Sequence, residues 1–167
     1  MLMEYVRIGE RKFGGLSSTF LDPALYLERL PSMRKELPPG AWQFAANPTH
    51  YDFYSPRCVK DLRPGRVEVS RRDEGRLARI EFLPSPFKHD APLAICYVDV
   101  HSFEVAFSSA DQWIDVDEEG ELNYEVLGDV QLDEILPDKQ GCSHEVALIG
   151  GRIRIVCRDL TATWLDD

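Results

Sequence analysis

The residues able to do chemistry in this chain are four histidines, four cysteines and a long run of carboxylates. His50, His89, His101 and His144 are the available imidazole bases. His50-Tyr51-Asp52 and His144-Glu145 each put a base beside a carboxylate along the chain. On a strand, neighbours point to opposite faces, which separates the second pair. No serine lies in a Gly-x-Ser-x-Gly elbow and no His-Glu-x-x-His appears. Each histidine is therefore expected in a structural or solvent-facing role.

Asp115-x-Asp117-x-Glu119-Gly120 has the alternating oxygens and sixth-position glycine of a calcium loop. The twelfth position, where a bidentate glutamate belongs, is Val126, so the segment reads as a hairpin turn. Cys142-x-His144 is the one close Cys/His pair, and Cys157 could join it. Paired Cys-x-x-Cys spacing is missing, and no metal or other cofactor is expected. His144 is placed at an exposed strand start. Cys58, Cys96, Cys142 and Cys157 read as reduced thiols, with Cys96 and Cys157 acting as small core hydrophobes. Gly14-Gly15-Leu16-Ser17-Ser18-Thr19 follows Arg11-Lys12 but lacks phosphate-loop spacing, and reads as a flexible loop.

Charge is the strongest signal. The chain of 167 residues has a formal net charge of -10. Residues 1–90 carry +3 and residues 91–167 carry -13. Eleven acids and no Lys or Arg lie in 111–138, among them Asp115, Asp117, Glu121, Glu125, Asp129, Asp133 and Glu134. Residues 57–79 hold eight arginines and lysines against four acids. That stretch has few interleaved aromatics and sits in an acidic molecule, so no nucleic-acid partner is expected. The longest apolar run, near 91–98, is far below the ~18–20 residues of a membrane helix. Charges interrupt the first dozen residues, so the expected setting is cytoplasmic.

These residues must be positioned by the elements around them. Glu4 to Ile8 reads as a short strand. Asp22-Pro23 is a helix start, with an N-cap residue before a proline in the first turn. Pro31 should end or kink that helix, Ser32 to Glu36 form a second turn, and Pro38-Pro39-Gly40 stop it. Ala41 to Ala46 form one more helical piece. Beyond Cys58 the apolar period becomes two. Val67 and Val69 lead through Asp73-Glu74-Gly75 to Ala78, Ile80 and Phe82, a hairpin. Leu93 to Val100 is apolar on both faces, as in a buried central strand. Phe103, Val105 and Phe107 alternate in a neighbouring strand. Residues 113–126 read as a hairpin with carboxylates on its outer face. Val146 and Leu148 lead through Gly150-Gly151 to Ile153, Ile155 and Cys157, and a final strand carries Leu160, Ala162 and Trp164.

The expected fold is one mainly β domain over 1–167. It is an antiparallel β-sandwich or partly closed barrel, with α+β as the alternative. The helical segment 1–56 packs on the sheet of 57–167. The expected function is a non-catalytic interaction domain, inhibitor- or immunity-like, whose acidic face binds a basic protein. Asp115, Asp117, Glu121, Glu125 and Asp129 would carry the contact. The alternative is a small-ligand binder or hydrolase with a pocket between sheet and helices, walled by Trp42, His50, Tyr51, Phe53 and Tyr54. Self-association through 57–79 and 111–138 is a third reading.

Overall fold

The computed structural model describes residues 3–73, 75–108 and 127–166. Among them the fold is mainly β and wholly antiparallel, with two sheets and no closed barrel. The elements are β1 (Arg7–Phe13), β2 (Leu16–Asp22), α1 (Ala24–Arg29), a 3-10 turn (Leu30–Met33), α2 (Pro39–Ala45), β3 (Arg63–Arg72), β4 (Gly75–Leu83), β5 (Leu93–Phe107), β6 (Val130–Asp138), β7 (Gly141–Leu148) and β8 (Gly151–Trp164). β1 and β2 form a two-stranded sheet, and the other six strands run in the order β3-β4-β5-β8-β7-β6.

Several local expectations are met. β3 and β4 pair as a hairpin, and Ala78, Ile80 and Phe82 are buried along one face. At Pro31 the α-helix gives way to the 3-10 turn.

Others are corrected. Residues 11–19 are not a flexible loop. Lys12 pairs with Ser17 and Phe13 with Leu16, and Gly14 and Gly15 turn the chain at φ +53° and +88°. Two successive positive φ values suit a two-residue hairpin turn, and only glycine reaches them without steric cost. The first strand starts at Arg7, not Glu4, because the backbone of residues 4–6 is engaged by Glu134. The start of α1 falls one residue later than expected: Pro23 is its N-cap, and Asp22 accepts the Ala24 backbone N–H at 2.9 Å from just outside the helix. The turn after Ser32 ends before the extended Pro38, as expected, but Pro39 then opens α2, two residues ahead of Ala41. Leu93–Phe107 is one strand, as is Gly151–Trp164. The two pair along their whole length through an irregularity between Val100 and Ser102, beside Asp99 at φ +50°. A strand that slips phase there looks like two strands when read by period alone. Cys96, expected in the core, is exposed, so β5 is not buried on both faces throughout.

The core lies between the six-stranded sheet and the segment running from α1 to Leu62. Tyr26, Leu30, Ala41, Phe44, Tyr51 and Leu62 pack with Ile80, Phe82, Leu93, Ile95, Ile135, Val146 and Ile155. A short helix such as α2 has too few turns to hold itself and depends on this burial. Its free N-terminal amides are met from the sheet: Asp159 accepts the Gly40 N–H at 3.1 Å and the Ala41 N–H at 2.9 Å.

Candidate functional site

Among the described residues, a dense cluster of titratable side chains sits in this seam. β6 brings Asp133 and Glu134 into the interior, 1% and 2% exposed. Consecutive strand residues point to opposite faces, so the two carboxylates serve different partners. Glu134 accepts the backbone N–H groups of Glu4, Tyr5 and Val6 at 2.9, 2.7 and 2.7 Å. It anchors the chain just before β1. Asp133 faces the helical segment. Its Oδ1 and Oδ2 lie 2.7 and 2.9 Å from His50 Nε2, and Oδ2 lies 2.8 Å from His144 Nε2.

The network continues outward from both imidazoles. His50 Nδ1 is 2.9 Å from the Phe44 carbonyl oxygen, and His144 Nδ1 is 2.8 Å from the Tyr97 hydroxyl. Tyr51 donates its hydroxyl to the Asp133 carbonyl at 3.1 Å, and Tyr26 donates to the Ile135 carbonyl at 2.7 Å. Burial would raise the Asp133 carboxyl, but the His50 charge and the hydrogen bonds from both imidazoles outweigh it. They hold that carboxyl well below the usual range. Burial, and then the Asp133 charge, push the Tyr26 and Tyr51 hydroxyls up. Tyr97 is raised by burial first. Three hydroxyls that stay protonated are reliable donors in a polar network closed to solvent.

The chemistry open to the cluster is limited by space. A cavity of about 10 Å³ touches Asp133 and His144 among Val59, Leu62, Phe82 and Val146. That is room for about one water molecule. Among the described residues, no group of three His, Cys, Asp or Glu is arranged to hold a metal ion. The cluster joins the helical segment to β6, β7 and, through Tyr97, β5.

None of the residues expected to wall a pocket borders the three recesses seen among the described residues. His50 and Tyr51 are buried in the cluster. Trp42 is half-buried under the Arg34 guanidinium, 5.6 Å from its ring centre, and Phe53 is half-buried near the Lys60 ammonium. Tyr54 is 96% exposed. A recess of about 290 Å³ does lie between α2 and β8, lined by Gly40, Gln43, Phe44, Asn47, Thr161 and Trp164, and none of the five expected residues borders it. A recess of about 470 Å³ lies elsewhere, between the N-terminal hairpin and the β6–β8 strands, lined by Ile8, Phe20, Leu148, Arg7, Glu145 and Arg152.

Of the residues expected to meet a partner, Asp115, Asp117, Glu121 and Glu125 lie outside the described residues, as does the 113–126 hairpin with its calcium-like turn. Asp129 is described, partly exposed, and 3.7 Å from the Arg63 guanidinium. Asp133 and Glu134, read as part of the same acidic run, are withdrawn from the surface because β6 turns them inward to protein partners. The basic stretch is largely spent on neighbours. Arg57 binds Asp90 and Asp166, Lys60 binds Asp61, Arg66 binds Glu68 and Arg79 binds Glu81.

His144 is buried rather than exposed. Its ring lies on the face of β7 that also carries Cys142, but the two side chains have different partners. Cys142 stands opposite Cys157 with Sγ atoms 3.7 Å apart, both thiols free. That hydrogen bond, with burial, pushes the Cys142 thiol up. His89 is also structural. Its Nδ1 accepts the Ser85 N–H and its Nε2 donates to the Cys58 carbonyl, each at 2.9 Å.

Nothing in the local sequence pattern pairs Asp133, His144 and Tyr97. A signal for β6 did exist: Val130, Leu132, Ile135 and Leu136 are apolar, and Pro137-Asp138 with Gly141 marks a turn. The acidic run masked it, and the register shift between Val130 and Leu132 broke its period. The chain matches no family model, no curated protein and no solved structure.

Proposed function

We propose that the protein is a non-catalytic binding module that captures a basic protein through its acidic segment. The observation that carries this reading is the 111–129 stretch, with eight carboxylates and no Lys or Arg in 19 residues. Like charges so concentrated create a field that attracts a cationic surface and speeds its encounter. The sealed Asp133 cluster supports the same reading. It is satisfied by protein groups and offers a substrate no space beyond about one water. A partner that carries a basic active surface would be masked by such a segment, in the manner of an inhibitor.

The test is capture from native lysate with identification by mass spectrometry, run in parallel with a Glu121→Lys/Glu125→Lys variant. The retained protein should be basic. Its affinity should fall as salt rises, and the variant should lose at least about tenfold in affinity with a flatter salt dependence. Equal capture by the variant rules out this segment as the interface.

A further inference from the structure

Hydrogen-bond donors and acceptors can be counted around His50. Its Nδ1 faces the Phe44 carbonyl oxygen at 2.9 Å, and a carbonyl oxygen only accepts. Its Nε2 faces both oxygens of Asp133, at 2.7 and 2.9 Å, and an ionised carboxylate only accepts. A neutral imidazole carries one N–H, so it would leave one of these contacts without a proton between two lone pairs. His144 differs. Its Nε2 donates to Asp133 Oδ2 and its Nδ1 accepts from the Tyr97 hydroxyl, so one N–H satisfies it. The rings around His50 agree with this assignment. Phe44 and Tyr51 each lie with centroids 4.1 Å from the imidazole, where aromatic faces favour a cation.

We propose that the fold contains a proton lock: His50 is held as an imidazolium between the Phe44 carbonyl and the Asp133 carboxylate, and loss of its proton loosens the helical segment from the sheet. The joint is well placed to act this way. His50 belongs to the chain that follows α2, while Asp133 belongs to β6, so the ion pair crosses the seam between the two layers. Both side chains are at most 2% exposed. A buried charge whose counter-charge remains while its own proton leaves strands that counter-charge without solvent. The titratable groups packed on the joint are Asp133 from β6, His144 from β7, Tyr97 from β5, Tyr51 beside His50 and Tyr26 from α1. Glu134 acts on Tyr26 and Tyr51 through space, with its carboxylate turned to residues 4–6. The tyrosines stay protonated, so they do not compete with the His50–Asp133 pair as pH rises.

The linkage has a definite sign. Above about pH 6.5 an unfolded histidine is neutral. If folded His50 keeps its proton there, unfolding releases one proton, and the folding constant falls by up to about tenfold per pH unit. His89, lowered by burial, works in the opposite direction, so the comparison needs a variant that changes only the lock. Asp133→Asn is that variant. Its amide N–H can donate to a neutral His50 Nε2 while its oxygen accepts from His144.

Two measurements test the proposal. In 15N-labelled protein near neutral pH, His50, assigned by its contacts with Tyr51, should show two protonated ring nitrogens and His144 one. Thermal unfolding between about pH 6 and about pH 9 should show the wild-type midpoint falling relative to that of Asp133→Asn. A bare ring nitrogen on His50, or parallel pH profiles for the two proteins, overturns the lock. Should Asp133→Asn fail to fold, the nitrogen spectrum of the wild type decides alone.

Discussion

Asp133 and Glu134 are adjacent, both buried and both carboxylates, yet they hold different parts of the molecule. The strand pleat turns one toward two imidazoles and the other toward three backbone amides. Asp133 should contribute to the acid limit of stability. Its carboxyl lies below its ordinary value in the folded chain and near about 3.9 in the unfolded one. Its stabilising effect is therefore complete above the unfolded value and disappears as pH falls through the folded one. Urea unfolding should show stability declining from about pH 4 downward, and Asp133→Asn should flatten that decline. An acid limb of equal slope in the variant would mean that other carboxylates control it.

Among the elements, α2 shows how much a short helix borrows from its surroundings. Its seven residues contain no side-chain cap of their own, and its first amides rest on Asp159 of β8. Gly40 allows this approach, since a Cβ there would lie 2.0 Å from the Leu160 carbonyl oxygen. That oxygen belongs to the sheet backbone and cannot swing aside. Gly40→Ala should then cost about 1–3 kcal/mol, as overpacking does, visible as a lower urea midpoint with an unchanged slope. A neutral substitution would show that α2 is free to shift along β8. The N-terminal hairpin makes the complementary point about legibility. Its strands carry Ser17, Ser18 and Thr19 where alternation would need apolar residues, and Phe13 and Leu16 are exposed. Period could not reveal it, and only Gly14-Gly15 signalled a turn. The β3–β4 hairpin was readable because one of its faces is buried in the core.

For the whole molecule, the charge of -10 must be weighed against its local ion pairs. Lys60 and Lys88 on Asp61, Arg57 on Asp90 and Arg66 on Glu68 are exposed or partly exposed pairs, each worth little and weakened by salt. The unpaired excess is negative, and self-repulsion of that excess opposes compactness. Raising NaCl from about 0.01 M to about 0.1 M shortens the screening length from about 30 Å to about 10 Å. At alkaline pH this should raise the unfolding midpoint by a few degrees. A falling midpoint would mean that the local pairs dominate. The sequence by itself determined the antiparallel β class, the main β3–β4 hairpin, the sites of the short helices and the charge asymmetry, because these follow from period, turn residues and counting along the chain. Only the tertiary structure decided which acids reach solvent and which histidines meet a carboxylate. His50 and Asp133 are 83 residues apart, and the contact between them depends on strand order, register and the face each side chain takes. Local pattern does not encode those three choices, since they are set by how the layers bury one another.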